Sequence, residues 1–384
     1  MANRHSVQTN IAYDETKQLY YVTLDFGKDI SGKRIKKTKT FKTLKEAKKV
    51  LAEHNYKKEK NKLILPSTYT LEEYSNMWIN NHATLYCKKL TVLGYRYMLD
   101  KHINKILGKI PLQKINLPII KQYIEQIKTT TNLSNVTINK HLDLLHTIFN
   151  SAIKEKLLSE NIINNIEKLP SKKNFEYTIY KPDEINELLS AAKSSTIELP
   201  VKLALMCGLR RGEINGLKWH NVDLDKKVFY IKETVLQGNT SDIIDTPKSK
   251  ASIRTLTIPD NLLPLLIQTK NDQEENKKLL LSDYHDNNLV FCKVNGDPYK
   301  ATYISTQFKK LISKTNLKHA RFHDLRHMFA SYALDSGVSY TTLSGMMGHS
   351  KPSVTLDIYT HSFENRSSTI ANKVCNHILE CDNI

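Results

Sequence analysis

The chain has 384 residues, of which 40% are hydrophobic and 25% charged, and this balance predicts two or three folded domains rather than a disordered chain. Its Lys and Arg residues outnumber Asp and Glu by 18, and an excess of that size indicates an anionic partner, most commonly nucleic acid. The lack of a long apolar run, of a secretory signal and of paired cysteines excludes membrane-spanning and disulfide-built proteins and predicts a soluble cytoplasmic one.

The first sixty residues predict a small basic module. Residues 1–62 hold 16 Lys and Arg against 7 Asp and Glu, so they carry half of the net charge. Strands are predicted over 19–26 and 35–41, the second rich in lysine. Thr43 and Glu46 then form a capping box for a helix with an apolar stripe of Leu44, Ala47, Val50, Leu51 and His54. Such a sheet backed by a helix favours a reader of a DNA groove, although an RNA-binding module has the same pattern.

Residues 67–170 are predicted to form an all-helical unit. Pro66 ends the preceding helix, and Thr70 and Glu73 form a second capping box. Apolar residues at helical spacing then indicate a long helix packed in a core: Val136, Ile138, Leu142, Leu145, Ile148, Phe149, Ala152 and Ile153. The stretch 169–185 contains two prolines and little periodicity, and it is predicted to be a linker.

After this linker, helical patterns alternate with short strands, predicted over 227–231 and 252–258. The chain is therefore predicted to be multidomain and mainly α with small β-sheets. An α+β module comes first, a helical unit follows, and a mixed α/β unit that is mostly helical completes the chain.

Two stretches of the last unit offer cations suited to a phosphate. In GLRRGE, Gly208 ends one predicted helix and Arg210 opens the next, where a guanidinium group and helix N–H groups act together on an anion. Glu213, three residues further on, is expected to hold the Arg210 side chain. Lys248 precedes the strand at 252–258 on a predicted hairpin and is expected to act as a mobile donor, with Lys250 as the alternative.

Two further stretches add histidines and a tyrosine. In FHDLRH, His323 and Arg326 stand three residues apart and share one side of a helix. In GHSKP, a turn presents His349, and Tyr359 follows ten residues later.

HDLRH also approaches the zinc pattern H-E-x-x-H, with His323 and His327 one turn apart. His349 or His361 would then supply a third ligand. Asp324 is shorter than the glutamate base of that pattern, and the arginine between the histidines would put positive charge beside the metal. A phosphate site is therefore favoured, with no metal and no cofactor.

The ordered set Arg210, Lys248, His323, Arg326, His349 and Tyr359 resembles the tyrosine recombinases, the integrase family of phages and transposons. The motifs GLRRGE, HDLRH and GHS carry the resemblance, together with the tyrosine that follows them. Arg211 doubles the first arginine, and Arg210 matches the family position because it directly follows GL. The resemblance implies a basic arm-binding domain at 1–64, a helical core-binding (SAM-like) domain at 67–170 and a catalytic domain at 175–384.

By this resemblance the chain is expected to be a site-specific DNA recombinase, or integrase, that works through a 3′-phosphotyrosyl intermediate to integrate or excise a mobile element. Tyr359 would attack a backbone phosphate, and Arg210 and Arg326 would clamp the non-bridging oxygens. Lys248 would protonate the leaving 5′-oxygen.

The resemblance also implies supporting roles and partners. His323 and His349 would donate hydrogen bonds to the phosphate or move protons, and Glu213 would support the site. The expected partners are double-stranded DNA with core and arm attachment sites, further copies of the chain in a tetramer on that DNA, and an excision factor or DNA-bending protein. The expected location is the bacterial cytoplasm, with the nucleoid when DNA is bound, and no membrane.

Three other functions stay open at the level of sequence: a type IB topoisomerase, a non-catalytic DNA-binding regulator and an RNA-binding protein. The basic N-terminal module favours a recombinase, because a second DNA-binding unit bridges separate sites. Tyr359 argues against a pure binder, which has no need of it. The apolar stripe Ile370, Val374 and Ile378 predicts a terminal helix that packs either on its own domain or on a neighbouring copy.

Overall fold

The fold is described from a computed structural model, which covers residues 4–28, 34–60, 63–170, 177–232, 234–236, 243–245 and 253–348. The chain divides into two compact units, Met1–Lys173 and Asn174–Ile384. Among the helices of the described ranges, none is both long and apolar enough to cross a membrane.

The first unit begins with a four-stranded antiparallel sheet whose strands lie in chain order, followed by one helix. These elements are β1 Arg4–Gln8, β2 Ile11–Asp14, β3 Leu19–Lys28, β4 Arg34–Phe41 and helix α1 Leu44–Glu59. The two predicted strands and the helix are confirmed. The first two strands were not predicted because they are only five and four residues long, and RHSVQ contains a single β-branched residue.

This sheet and helix enclose a small core of their own, formed by Ile11, Val22, Leu24, Ala47 and Leu51. The predicted stripe of α1 is confirmed, since its residues are buried or pack on this core. In the edge strand β4, Lys36, Lys37 and Lys39 are all exposed, as expected for lysines on a sheet that faces an anion.

The rest of the first unit is helical, as predicted. Its helices are α2 Leu71–Trp78, α3 Thr84–Tyr86, α4 Lys89–Met98, α5 Asn104–Leu107, α6 Leu117–Thr130 and α7 Asn135–Lys154. The capping box of α2 is present, because the Glu73 N–H donates to Thr70 Oγ1 at 3.3 Å and the Thr70 N–H donates to Glu73 Oε2 at 2.8 Å. The predicted stripe of α7 is confirmed at six of its eight positions, which are buried: Ile138, Leu142, Leu145, Ile148, Phe149 and Ala152. Ile153 is half-buried, and Val136, in the first turn, is 48% exposed.

In its described residues, the second unit combines helices of eight or more residues with short strands and the short helix α10. Its elements are α8 Pro182–Ala192, α9 Glu198–Cys207, α10 Arg211–Gly216, β5 Val222–Asp223, β6 Val228–Ile231, β7 Thr234–Leu236, β8 Ile243–Asp245, β9 Arg254–Thr257, α11 Leu263–Leu280, α12 Tyr303–Ile312, α13 Phe322–Asp335 and α14 Tyr340–Met347. Strands β5, β6 and β9 form one antiparallel sheet and β7 and β8 form a second. The strands predicted at 227–231 and 252–258 correspond to β6 and β9.

The predicted linker at 169–185 extends too far. Helix α8 begins inside it, at Pro182. A proline in the first turn of a helix starts it rather than breaking it, because its missing N–H has no partner there in any case. Just before α8, Tyr180 is only 1% exposed, and its hydroxyl donates to the Lys318 carbonyl. This end of the stretch therefore belongs to the folded second unit.

Candidate active site

The first predicted arginine stands at a turn that only glycine can make. Helix α9 ends at Gly208, whose φ of +64° lies in the left-handed region. A Cβ at this position would lie 2.5 Å from Cδ1 of Phe329 on α13, so the turn also depends on close approach of the two helices. Two residues later, Arg210 is extended and caps the start of α10.

Arg210 is held by Glu213, as the sequence predicts. Its Nη1 donates to Glu213 Oε1 at 2.8 Å, and its backbone N–H donates to Oε2 at 2.9 Å. Nη2 donates to the carbonyl of Gly348 at 3.0 Å. The Arg210 side chain keeps 31% of its surface exposed, so the guanidinium group is anchored and still open to a ligand.

His323 and Arg326 lie on α13, as predicted, but they differ sharply in burial. His323 is exposed, whereas Arg326 is 2% exposed. Arg326 reaches inward, where its guanidinium group donates to the carbonyls of Gly208 and Met347. Both residues lie on α13, three positions apart as predicted, and the spacing within the motif does not indicate that Arg326 is buried. The inward position follows from those two carbonyls, which end α9 and α14 and need donors.

The charge around His323 favours a neutral imidazole at pH 7. Partial burial of the ring, followed by the positive charges of Arg326 and Arg210, lowers the pKa of His323 to about 4. These charges act on the ring although one side of it faces solvent. His323 can therefore accept a proton or donate one hydrogen bond beside the two arginines.

Sequence analysis missed Arg254, a third arginine of this cluster. It lies on β9, and its side chain is 6% exposed. Its Nη1 and Nη2 donate to Glu213 Oε1 and Oε2, each at 2.9 Å, and its Nε donates to the Met346 carbonyl at 2.6 Å. The available signal was a lone arginine within the apolar pattern SIRTLTI, which is weak because strand arginines usually face solvent.

The carboxylate of Glu213 is the anionic centre of the cluster. It is 3% exposed, and burial by itself would raise its pKa. The hydrogen bonds and charge of Arg254, with the charges of Arg210 and Arg326, outweigh burial and lower the pKa of Glu213 to about 2. Glu213 is therefore ionised near pH 7.

The three arginines converge on the C-terminal end of α14. Arg254 donates to the carbonyl of Met346, Arg326 to that of Met347 and Arg210 to that of Gly348. The last carbonyls of a helix have no partner within it and carry the negative end of the helix dipole, so three guanidinium groups satisfy them well. Residues far apart in sequence are in this way brought to one point.

A cavity of about 510 Å³ opens beside Arg210 and His323. Its wall carries further basic side chains, and its floor is apolar; it is lined by Arg210, Arg211, Gly212, Ser305, Phe308, Lys309, His319, Ala320, Arg321, Phe322 and His323. Arg211, the residue that doubles the first arginine, is fixed by a 2.8 Å hydrogen bond from its Nη1 to Ser305 Oγ. The concentration of positive charge suits a polyanion such as a nucleic-acid backbone.

The second histidine of HDLRH, His327, is buried and packs against aromatic rings. His327 is 5% exposed, and its ring packs on that of Tyr177 with centroids 3.9 Å apart. The ring of His323 lies 5.0 Å away, nearly perpendicular to it. Within the described residues there is no group of three His, Cys, Asp or Glu able to hold a metal ion. His361, one of the two third ligands that a zinc site would use, lies outside those residues.

Three residues of the predicted set lie outside the described residues: Lys248, His349 and Tyr359. The same holds for Lys250 and for the apolar stripe Ile370, Val374 and Ile378. The structure therefore brings together Arg210, Arg326, His323 and Glu213, and adds Arg254.

Comparison with known protein families gives three matches along the chain. Residues 178–366 match the phage integrase family, residues 10–58 an arm DNA-binding domain, and residues 70–128 the N-terminal SAM-like domain of phage integrases.

Relatives that match over nearly the whole chain are named as recombinases or integrases. A "Tyrosine recombinase XerC-like" protein of Caldanaerobacter subterraneus is 29% identical over 369 residues, which cover 90% of this chain and 93% of the relative. The "ICEBs1 integrase" of Bacillus subtilis is 26% identical and covers 92% of this chain and 96% of its own length.

Solved structures of low sequence identity share the fold. The Tn1549 transposon integrase in complex with transposon right-end DNA aligns with a TM-score of 0.67 at 20% identity, over 80% of this chain and 99% of that one. A lambda integrase dimer bound to a COC′ core site aligns with a TM-score of 0.54 at 16% identity, over 93% and 96% of the two chains.

Proposed function

The chain belongs to the phage integrase family, and from that premise we propose that it is a tyrosine-type site-specific DNA recombinase whose active centre is built around Arg210 and Arg326. The observation that carries this proposal is the convergence of these two arginines, far apart in sequence, at the end of α14. Paired guanidinium groups at one point suit a phosphodiester, whose transition state gains negative charge on its non-bridging oxygens.

In the proposed reaction, Tyr359 attacks the scissile phosphorus. A bond forms between the phenolic oxygen and phosphorus, and the bond from phosphorus to the 5′-oxygen breaks, which leaves a 3′-phosphotyrosyl adduct. The phenol gives up its proton, and Lys248 supplies one to the leaving 5′-oxygen. In the second step the 5′-hydroxyl of another strand attacks the adduct. The phosphotyrosyl bond retains the free energy of the broken linkage, so rejoining needs no ATP.

The described residues supply the electrostatic part of this reaction. Arg210 is anchored and part-exposed, so it is available to bind a non-bridging oxygen directly. Arg326 contributes its charge from the buried side and fixes the turn at Gly208. His323, neutral at pH 7, is suited to accept the phenolic proton or to donate a hydrogen bond to the phosphate, and His349 is proposed to share that role.

The substrate is proposed to be double-stranded DNA. In this proposal residues 67–170 and 175–384 hold the core site, the scissile strand lies along the basic cavity beside Arg210, and residues 1–64 bind a separate arm site. The separate small core of the first 60 residues and the exposed lysines of β4 support this division. A net charge of +18 supports strong binding to a polyanion.

Recombination joins two duplexes, so we propose that copies of the chain assemble on DNA as a tetramer. Lambda integrase, which shares the fold, has been solved as a tetramer bound to a Holliday junction. Excision factors or DNA-bending proteins are proposed as accessory partners, and the bacterial cytoplasm as the place of action.

The proposal is tested by covalent capture. Purified protein is incubated in EDTA with randomly nicked genomic fragments of its source organism, denatured with SDS and precipitated with potassium. We expect DNA to co-precipitate with the protein, because a nick close to the cleaved bond lets the short fragment that carries the freed 5′-hydroxyl diffuse away, and the adduct cannot be rejoined. Sequencing of that DNA then identifies the substrate. A protein that binds these fragments without any SDS-resistant adduct would contradict the proposal.

A type IB topoisomerase would pass the capture test because it uses the same chemistry. The two functions differ in product. With two captured sites on separate molecules, a recombinase yields joined products that contain one half of each site. Relaxation of a supercoiled plasmid without joined products would favour the topoisomerase instead.

A further inference from the structure

Arg254 is extensively bonded and has no part in the mechanism proposed above. All three of its donor nitrogens are engaged, two with the carboxylate of Glu213 and one with the carbonyl of Met346. At 6% exposure it is nearly out of reach of solvent and of a DNA backbone. Its function must therefore act through the groups that it touches.

We propose that Arg254 is a positioning residue that keeps Arg210 available for the scissile phosphate. It does so by occupying and neutralising Glu213, and it ties the last turn of α14 to the same carboxylate. This inference rests on the proposed function, since it concerns how the phosphate-binding arginine is held.

The sharing of Glu213 between two arginines is the first step of the argument. Oε1 accepts from both Arg254 Nη1 and Arg210 Nη1, and Oε2 accepts from Arg254 Nη2 and the Arg210 backbone N–H. One guanidinium nitrogen of Arg210 therefore donates to Glu213 and another to the Gly348 carbonyl, while part of the side chain stays exposed. Arg254 makes a bidentate contact with the Glu213 carboxylate, a frequent geometry of arginine–carboxylate pairs.

Charge is the second step. Glu213 is ionised and buried, so it pairs with whatever cation is nearest. With Arg254 present, one arginine neutralises the carboxylate and Arg210 retains its net positive charge for the phosphate. Without Arg254, Arg210 would become the main hydrogen-bonding cation of the carboxylate, which would offset the charge that stabilises the transition state.

The contact with Met346 is the third step. Arg254, Arg326 and Arg210 bond three successive carbonyls, so the end of α14 and the Glu213 carboxylate are fixed relative to one another. A lysine at position 254 would keep the charge, but its single ammonium group lacks the planar fork that spans both carboxylate oxygens and a third acceptor.

The test uses the full chain and the nicked duplex recovered by covalent capture, and it measures single-turnover adduct formation. We expect Arg254→Gln to slow cleavage about 100-fold through displacement of a catalytic group, with DNA affinity nearly unchanged. Arg254→Lys should lie between this variant and the original protein. The matched control is Lys277→Gln. Lys277 lies on α11 and is paired with Asp286, and its replacement should leave the rate unchanged.

The decisive variant adds Glu213→Gln to Arg254→Gln. If Arg254→Gln is slow because the charged Glu213 carboxylate pairs with Arg210, removal of that charge should make the double variant at least about 10-fold faster than Arg254→Gln. A merely structural role predicts the opposite, because the second change removes further bonds. The inference is overturned if the double variant is as slow as Arg254→Gln or slower, or if Arg254→Gln cleaves like the control. If Arg254→Gln fails to fold, the same comparison is made with Arg254→Met, which also removes the charge, alone and with Glu213→Gln.

These outcomes are separate from failure of the proposed function. If the proposed function is wrong, the unsubstituted protein itself forms no adduct with any captured or supplied duplex. An adduct from the unsubstituted protein, with no dependence on Arg254, overturns the positioning role alone.

Discussion

At the scale of single residues, the two arginines assigned to the phosphate have different environments. Arg210 is 31% exposed, and its partner Glu213 keeps a second arginine when Arg210 is removed. Arg326 is 2% exposed and is bonded to the carbonyls of Gly208 and Met347. Position 210 should therefore affect chemistry, and position 326 should affect both chemistry and folding.

We expect Arg210→Ala to lower single-turnover cleavage by about 10²- to 10³-fold, with a change in unfolding free energy below about 1 kcal/mol. Arg326→Ala should lower cleavage as strongly and also destabilise the second unit by about 2–5 kcal/mol, because two buried carbonyls lose a charged donor. Urea unfolding followed by Trp219 fluorescence in a Trp78→Phe background measures the second unit.

The control for this comparison is Lys202→Ala, which removes a cation paired with Glu198 in the same unit. It should change neither rate nor stability appreciably. Equal stability of the Arg210→Ala and Arg326→Ala proteins would contradict the separate roles assigned to these arginines.

At the scale of elements, the candidate site is assembled from helix ends. Helix α9 ends at Gly208, α10 begins after Arg210, and α14 ends at Met347. The left-handed turn at Gly208 brings α9 against Phe329 of α13, and Arg326 of α13 bonds back to the same turn. Positioning therefore depends on backbone turns as much as on side chains.

A different pair of elements, α6 and α7, carries a buried histidine. His141 on α7 is fully buried, and its Nδ1 lies 2.8 Å from the hydroxyl of Tyr123 on α6. Its ring stacks on that of His102 with centroids 5.2 Å apart. Burial, followed by the charge of His102, lowers the pKa of His141 to about 4.

This pKa predicts acid sensitivity of the helical part of the first unit. In the unfolded chain His141 binds a proton near its ordinary pKa of about 6.5, while in the folded chain it stays neutral to about pH 4. Between these values the unfolded state binds more protons, so stability falls as pH falls. From pH 7 to 5 the loss due to His141 should be about 2 kcal/mol.

The measurement follows Trp78, which lies in the same core, by urea unfolding in a Trp219→Phe background. His141→Gln should be less stable at pH 7 but should lose about 2 kcal/mol less on acidification. An identical pH dependence with and without His141 would contradict the assignment.

At the scale of the whole molecule, separate hydrophobic cores serve separate segments. The core formed between Ile11 and Leu51 shares no residue with the core formed between Leu71 and Ile163, and the second unit has its own. Such independence permits DNA-binding functions to be divided among segments.

Deletion of residues 1–64 should therefore leave a folded protein that still forms covalent adducts with core-type DNA. It removes half of the net charge, so the salt dependence of DNA binding should become weaker. Joining of two sites should fail where one of them needs arm contacts. Capture and joining assays, run side by side over a series of salt concentrations, separate the two effects. Loss of adduct formation in a protein that keeps its helical circular dichroism would contradict the division.

Much of this organisation could be predicted from the sequence, and the limits have physical causes. Capping residues and apolar periodicity are local, so the helices after Thr43 and Thr70 and the long helix around Leu142 were predicted correctly. Pro182 was assigned to a linker because proline marks a helix start as well as a break. This error arises because proline is found both at helix starts and at helix breaks.

The site shows the same limit at long range. The contact of Glu213 with Arg210 was predicted because they lie three positions apart at one helix start. The inward turn of Arg326 and the contacts of Arg254 depend on carbonyls at the end of α14, which lies elsewhere in the sequence. Spacing within a motif carries no information on such acceptors. The roles of Lys248, His349 and Tyr359 therefore stay predictions.

The most direct measurement is the identity of the residue that becomes joined to DNA. Captured adducts are digested with protease and nuclease, and the modified peptide is sequenced by mass spectrometry. The account predicts a nucleotide on Tyr359, normal adducts from the control Tyr230→Phe, and DNA binding without adducts from Tyr359→Phe. Adducts from Tyr359→Phe at the original level, or a nucleotide on any other side chain, would contradict it.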